Sequence, residues 1–147
     1  MPQKDIKVLV VEDDTSIREA LVARFKKEDF QVKGAADGEE GYNEALNWQP
    51  DLIMLDILMP KMNGIQTLEA IRTSGDYGKD VPVVLLTNVA PDDKVLKELV
   101  QLKPNGYLSK TDVIGSEGVS IIIKSFSFSS FSIPEDSKLN SPDFLGL

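Results

Sequence analysis

The sequence predicts an α/β domain with a doubly wound, five-stranded parallel sheet. Through about residue 115, short apolar runs alternate with segments in which apolar residues recur every three or four positions. These are the patterns of buried strands and of amphipathic helices. The first run, residues 6–11, is apolar at nearly every position, which is typical of a parallel strand covered on both faces. A repeated β-α order of this kind favours a parallel sheet with helices on both sides.

Five segments have the character of strands. In chain order they are residues 6–11, 30–35, 52–55, 82–86 and 107–108. The second is more polar than the first, so we expect it at an edge of the sheet. The last is short and follows the turn-forming residues Pro104, Asn105 and Gly106.

Helices are predicted in the first four connections. Their apolar residues are Ile17, Leu21 and Phe25; Tyr42, Ala45 and Leu46; Ile65, Leu68 and Ile71; and Val95, Leu96, Leu99 and Val100. Ser16 and Glu19 fit a capping box at the start of the first helix. Asp37 precedes the second helix, and Pro91 suits the first turn of the fourth. Serine and glycine within residues 74–78 predict a loop before the fourth strand.

The pattern changes after Gly115. Residues 119–123 are apolar, and residues 125–132 then alternate serine with phenylalanine, with one interruption. A period of two is typical of a strand and not of the amphipathic helix that should close the last β-α unit. We therefore predict one domain over residues 1–115 and a weakly ordered or edge-pairing tail over residues 116–147.

Composition limits the chemistry that this chain can perform. It has 147 residues, a net charge of −8, and neither cysteine nor histidine. Disulfides, thiol chemistry and histidine general bases are thereby excluded, and the negative charge argues against direct nucleic-acid binding. The amino terminus lacks the apolar core of a signal peptide, and no apolar stretch approaches membrane-spanning length. We expect a cytoplasmic protein that uses carboxylates, hydroxyls and lysine.

Functional side chains follow four of the predicted strands. Glu12 and Asp13 come directly after the first strand, and Asp56 ends the third. Thr87 ends the fourth strand, and Lys110 follows the fifth. Because ligands bind beyond the carboxyl ends of parallel strands, we expect these side chains at one edge of the sheet. Their hard oxygen ligands suit Mg²⁺, or Mn²⁺ as the alternative ion, and the lysine adds positive charge for phosphoryl oxygens.

The chain resembles the receiver domain of two-component response regulators over about residues 6–111. The resemblance rests on Glu12, Asp13, Asp56 within Asp-Ile-Leu-Met-Pro-Lys-Met-Asn-Gly, Thr87 and Lys110. It implies a flavodoxin-like sheet in strand order 2-1-3-4-5. It also implies a phosphorylatable signalling switch rather than an enzyme in the usual sense.

The resemblance assigns roles at the acidic edge. Asp56 would accept a phosphoryl group from the phosphohistidine of a sensor histidine kinase or a phosphotransfer protein. Asp13 and Asp56 would bind Mg²⁺ directly, together with the backbone carbonyl of Leu58, and Glu12 would act through water. Asp14, the third acid of that run, is expected to be a helix cap or a solvated residue.

Three further residues would respond to phosphorylation. Lys110 would contact the phosphoryl group, the Thr87 hydroxyl would move to it, and Tyr107 would follow inward as the aromatic switch residue. Each also has a simpler interpretation: Lys110 as a surface lysine, Thr87 as an ordinary threonine at a strand end, and Tyr107 as a packed aromatic. The simpler interpretation of Asp56 is a helix N-cap or a turn residue.

The sequence departs from the family at several positions. Asn88 stands where a small residue is common and would slow transfer by crowding the site, and Thr111 stands where proline is usual. Leu58 and Val89 are apolar at positions that influence water attack on the phosphoaspartate, so we expect a long-lived phosphoryl form. Residues 116–147 do not predict the family's fifth helix, which contributes to dimerisation, and the oligomeric state stays open.

Two other functions fit part of the pattern. Aspartyl-phosphate hydrolases commonly place a second acid two residues after the nucleophile, where this chain has Leu58, which argues against a hydrolase. A phosphorylation-independent interaction module is favoured by Asn88 and the unusual tail, but the intact set of acids, threonine and lysine argues against it. The sequence does not indicate the downstream partner.

Overall fold

The computed structural model describes residues 5–59, 61–87 and 93–110, which form a five-stranded parallel sheet. The strands are β1 (Lys7–Val11), β2 (Gln31–Ala35), β3 (Leu52–Asp56), β4 (Val83–Thr87) and β5 (Gly106–Ser109). Their order across the sheet is β2-β1-β3-β4-β5, so the predicted fold class is confirmed and the polar strand β2 lies at an edge. The order reverses between β1 and β3, which places the ligand-binding switch point at their carboxyl ends.

Five helices connect these strands within the described residues. They are α1 (Thr15–Lys27), α2 (Gly38–Trp48), α3 (Gly64–Arg72), α4 (Asp76–Asp80) and α5 (Asp93–Gln101). Helix α4 begins at Asp76, so the loop predicted within residues 74–78 is confirmed at Ser74 and Gly75 and is wrong for residues 76–78. Tertiary bonds explain the difference: the Tyr77 hydroxyl donates to the Pro50 carbonyl at 2.6 Å, and the Arg72 guanidinium donates to the Gly78 and Val81 carbonyls at 2.9 and 2.6 Å. A single turn held by distant residues leaves no periodic signal in the sequence.

The caps set where the helices begin. The Asp14 side chain accepts from the Ile17 backbone N–H at 3.0 Å, so α1 begins at Thr15 and the capping box predicted for Ser16 and Glu19 is wrong. Asp14 competes successfully because it is already extended at the end of the β1 loop, with φ −73° and ψ 117°. The expected cap at Asp37 is confirmed by its 2.8 Å bond from the Glu40 backbone N–H.

The core forms two apolar layers, one on each face of the sheet. Alternate residues of β1 belong to different layers, Val10 to one and Leu9 to the other. Leu21 and Phe25 of α1 pack in the first layer, and Leu68 of α3 packs in the second. This double covering makes the sheet a rigid base from which the residues at its carboxyl edge project.

The opposite, amino edge of the sheet carries the tryptophan at the end of α2. The Lys7 ammonium donates to the Trp48 carbonyl at 2.7 Å and lies 5.6 Å from the centre of its ring. The Lys33 ammonium lies 4.9 Å from the same ring. Trp48 is half-buried and packs on the second apolar layer, so its ring is fixed between the core and two cations.

Several expectations fall on residues that the structure does not describe. These are the tail over residues 116–147 and the departures from the family pattern at Asn88, Val89 and Thr111. Among the residues that are described, no helix has the length and apolar character needed to cross a bilayer.

Candidate functional site

Three carboxylates converge at the carboxyl edge of the sheet. Glu12 follows β1, Asp13 is next along the chain, and Asp56 is the last residue of the adjacent strand β3. One oxygen from each lies within 4.8 Å of the others. Glu12 and Asp56 are only 0% and 1% exposed, whereas Asp13 is exposed. The site is therefore a largely buried acidic pair with one acid at its mouth.

Lys110 crosses the end of β4 to reach this acidic pair. Its ammonium lies 2.5 Å from Glu12 Oε1 and donates to Asp56 Oδ2 at 3.0 Å. Its side chain is 11% exposed. A buried ammonium between two ionised, buried carboxylates offsets only one of their charges, so a net negative charge remains within the described cluster.

Burial and shared hydrogen bonds determine the protonation of the acids. Burial raises the pKa of Glu12 to about 7, and a hydrogen bond with Asp56 acts in the same direction. Burial also raises the pKa of Asp56, although hydrogen bonds with Glu12 and Lys110 oppose it. At Asp13, burial favours a higher pKa, but hydrogen bonds with Glu12 and Asp56 outweigh it and the pKa is lowered. The three acids thus hold a proton up to about pH 7, mainly on Glu12.

Lys110 keeps its charge despite its burial. Burial acts to lower the pKa of its ammonium, but the close contacts with the carboxylates of Glu12 and Asp56 are stronger, and the pKa is raised. The lysine is therefore a fixed cation at all physiological pH values, available to a second anion at the mouth of the site.

The donor set fits a hard divalent cation. Glu12 Oε1 is buried and has an ion-pair contact with Lys110 but no hydrogen bond of good geometry. The cluster offers oxygen ligands from three carboxylates. Lys110 offsets one of their negative charges and the shared proton a second, so one negative charge remains. Oxygen-only ligands at a partly open site are what Mg²⁺ and Mn²⁺ prefer.

We expect the free energy of unfolding of the metal-free protein to fall by on the order of 2 kcal/mol between about pH 5 and about pH 8. The pKa of Glu12 is about 7 in the folded chain against an ordinary value of 4.5. Its contribution to stability is therefore complete below pH 4.5 and is lost as the pH rises through 7. The raised pKa of Asp56 acts with the same sign. Urea unfolding in the presence of a chelator measures the change.

Mg²⁺ should oppose that fall, because it binds the deprotonated carboxylates and stabilises the folded state more as the pH rises. Glu12→Gln is the control, since it preserves shape but removes the titrating group, and its stability should vary less over the same range. A metal-free stability that increases from pH 5 to pH 8 would contradict the expected sign.

A close backbone approach fixes the segment that follows Asp56. The Gly64 backbone N–H donates to the Ile57 carbonyl at 2.8 Å, and a Cβ at Gly64 would lie 2.2 Å from the Asp56 carbonyl oxygen. Asn63 caps α3 through a capping box with Gln66. A side chain at Gly64 would therefore push the start of α3 away from Asp56.

The remaining predicted site residues surround this cluster. Thr87 ends β4, with its backbone opposite Ser109 of β5. Tyr107 is half-buried and packs on the second apolar layer. The Leu58 side chain is 66% exposed, and its backbone N–H donates to Asp56 Oδ1 at 3.3 Å. Four predicted residues, Glu12, Asp13, Asp56 and Lys110, are thus brought together, with the others on adjoining segments.

The family model described as the response regulator receiver domain matches residues 8–114. The chain belongs to this family. The receiver domain is 34% identical over 82 residues to the response regulator MprA of Mycobacterium sp. strain KMS, which covers 56% of this chain and 34% of that protein. It is 41% identical over 81 residues to the probable transcriptional regulator ycf27 of Guillardia theta, covering 55% of this chain and 30% of that protein. The chain thus spans about a third of the length of these curated relatives.

Solved structures show the same fold. The chemotaxis protein CheY4 of Vibrio cholerae superposes with a TM-score of 0.73 at 28% identity, covering 81% of this chain and 96% of that chain. The receiver domain of Francisella response regulator 1452 gives a TM-score of 0.68 at 25% identity, covering 81% and 95%. The predicted family and strand order are confirmed. Receiver domains are generally signalling switches rather than conventional enzymes, which confirms that expectation at the level of the family.

Proposed function

We propose that this receiver domain is a cytoplasmic, phosphorylatable switch in which Asp56 accepts a phosphoryl group from the phosphohistidine of a sensor histidine kinase or a phosphotransfer protein. One observation carries the proposal: the buried Asp56 carboxylate contacts Lys110 at 3.0 Å and lies beside two further acids. A simple capping or turn residue would not require an ammonium and two carboxylates around it. The switch domain would comprise residues 1–115.

The chemistry follows from the charges at the site. An oxygen of Asp56 would attack phosphorus while the P–N bond of phosphohistidine breaks and its electron pair returns to the imidazole nitrogen. Asp13, Asp56 and the Leu58 backbone carbonyl would hold Mg²⁺, with Glu12 acting through water. The bound Mg²⁺ would offset the repulsion between the acids and the incoming phosphoryl oxygens.

The chain's own residues would then detect the product. Lys110 is already beside Asp56 and would transfer its hydrogen bond to a phosphoryl oxygen. Thr87 ends the strand adjacent to Asp56, so its hydroxyl would move to the phosphoryl group. Tyr107, on the next strand, would move inward to fill the space. This sequence of changes would alter the surface along β4 and β5.

Acetyl phosphate or phosphoramidate with Mg²⁺ should add one phosphoryl group to the wild-type chain and none to Asp56→Asn, as measured by intact mass. Asp14→Asn is a matched control, because Asp14 is an exposed neighbour that caps α1 and asparagine caps as well as aspartate. Formation of the adduct should require Mg²⁺, so no adduct should form when a chelator is present from the start. No adduct on the wild type, or an unchanged adduct in Asp56→Asn, would leave the phosphorylation-independent interaction module as the better description.

We expect the phosphoryl form to decay slowly. The exposed Leu58 side chain offers no hydrogen bond to a water beside Asp56, so nothing at this position would orient the attacking water. Leu58→Asn should shorten the lifetime of the adduct, whereas Leu58→Met, which stays apolar, should not. The decay is followed by mass after the phosphodonor is removed, and equal lifetimes in the two variants would contradict the explanation.

A further inference from the structure

Arg18 of α1 contacts the backbone that carries two of the site's acids. Its guanidinium Nη1 donates to the Glu12 carbonyl at 2.8 Å and lies 3.4 Å from the Asp13 carbonyl. Its Nη2 lies 3.4 Å from the Thr15 hydroxyl. The side chain is half-buried. One arm of its planar fork contacts the two carbonyls and the other contacts the Thr15 hydroxyl, an arrangement that a single ammonium matches less well.

The rest of this loop is fixed by separate bonds. The Glu12 backbone N–H donates to the Ala35 carbonyl of β2 at 3.0 Å. Glu12 Oε2 accepts from the Asp14 backbone N–H at 3.2 Å, and Asp14 itself caps α1. Arg18 supplies the bond on the carbonyl side of Glu12. Together these contacts hold the backbone on both sides of Glu12.

Gly34 of the edge strand provides the space for Arg18. A Cβ at Gly34 would lie 3.1 Å from Arg18 Cδ and 3.2 Å from Arg18 Cγ. Gly34 is exposed and pairs in register with Val10 of β1. Glycine is unfavourable inside a strand, and here its missing side chain lets the aliphatic part of Arg18 lie across β2.

We propose that Arg18 is a positioning residue for the cation site. It fixes the Glu12–Asp13 peptide so that both carboxylates face Asp56, and Gly34 is the glycine that makes this position of Arg18 accessible. The inference deepens the proposed function, since it concerns how the same site binds its ion. It needs no phosphoryl transfer to be tested.

Arg18→Ala should weaken the binding of Mg²⁺ about tenfold, as measured by isothermal titration calorimetry on the folded protein. The direction of the change in Mg²⁺ affinity is diagnostic, because removing a positive charge near three carboxylates would by itself strengthen cation binding. Arg18→Lys keeps the charge but not the fork, and should also weaken binding, though by less. Lys26→Ala removes an exposed cation from the same helix and should leave the affinity unchanged.

A purely structural role gives a different result. If Arg18 only supports α1, Arg18→Ala lowers the melting temperature but leaves the Mg²⁺ affinity at the wild-type value or raises it, and either outcome overturns the proposal. Absence of any Mg²⁺ binding by the wild type overturns it too.

Gly34→Val tests the second part of the proposal, and its effect in the wild-type background does not depend on Arg18→Ala folding well. It should weaken Mg²⁺ binding in the wild-type background and have little effect in the Arg18→Ala background. Equal effects in both backgrounds would mean that Gly34 does not act through Arg18.

The two proposals fail separately. A wild-type chain that binds Mg²⁺ in an Arg18-dependent manner but gains no phosphoryl mass refutes the phosphoacceptor role and supports the positioning role. A chain that is phosphorylated at Asp56 but binds Mg²⁺ equally well with Arg18→Ala refutes the positioning role alone.

Discussion

Replacing Lys110 with methionine is expected to destabilise the metal-free protein by about 3 kcal/mol at about pH 8 and by much less at about pH 5. Among the described residues, Lys110 is the cation in contact with Glu12 and Asp56, and both acids are buried. Without it, the pKa of Glu12 rises further above its ordinary value. Glu12 of the wild type ionises as the pH rises through about 7, whereas Glu12 of the variant stays protonated and the stability of the variant continues to fall, so the two proteins differ mainly above about pH 7. Urea unfolding at the two pH values measures the difference.

Lys97→Met is the matched control for this experiment. Lys97 is an exposed lysine of α5, and its replacement should change stability by no more than about 0.5 kcal/mol at either pH. Mg²⁺ should restore part of the stability lost in Lys110→Met, because it replaces the missing positive charge among the acids. An equal loss at both pH values would mean that Lys110 acts by packing and not by charge.

Arg72→Met is expected to lower the free energy of unfolding by about 3 kcal/mol. The Arg72 guanidinium donates to the Leu102 and Lys103 carbonyls at 3.0 and 3.1 Å, in addition to the bonds with Gly78 and Val81 described for α4. One side chain therefore joins α3, α4 and the segment before β5. Methionine fills similar space but leaves these carbonyls without their donor.

Arg72→Lys should recover less than half of that loss, because a single ammonium cannot reach carbonyls on several sides of a planar fork. Lys79→Met changes an exposed residue of α4 and provides the baseline. Hydrogen exchange should also show α4 opening before the sheet in Arg72→Met. A stability within the range of the Lys79→Met control would show that the contacts of Arg72 contribute little.

The sheet and the acidic cluster could be predicted from sequence because both depend on short-range patterns. The apolar run of β3 identifies a buried strand, and a parallel sheet brings its end beside that of β1. Asp56 and Glu12 therefore meet without any knowledge of packing. Lys110 follows by the same reasoning, since a side chain at the end of β5 needs only to cross one strand.

The features that sequence reasoning missed depend on contacts between distant segments. Helix α4 exists because Tyr77 and Arg72 bond to backbone groups that no local pattern indicates. The capping box predicted for Ser16 and Glu19 is wrong because the geometry of the preceding loop favours Asp14, for which a capping role was one of the two expected. Arg18 gives no signal in the sequence, because an arginine in the first turns of a helix is ordinarily solvated.

The position of Trp48 makes two measurements independent. It is the one tryptophan in the chain, and it lies with Lys7 at the amino edge of the sheet, whereas Glu12 and Lys110 lie at the carboxyl edge. Its fluorescence should therefore change when the core unfolds and stay constant when an ion binds at the carboxyl edge of the sheet. Emission and binding heat, recorded on one unlabelled sample, would separate loss of the fold from loss of the ligand in every variant described above.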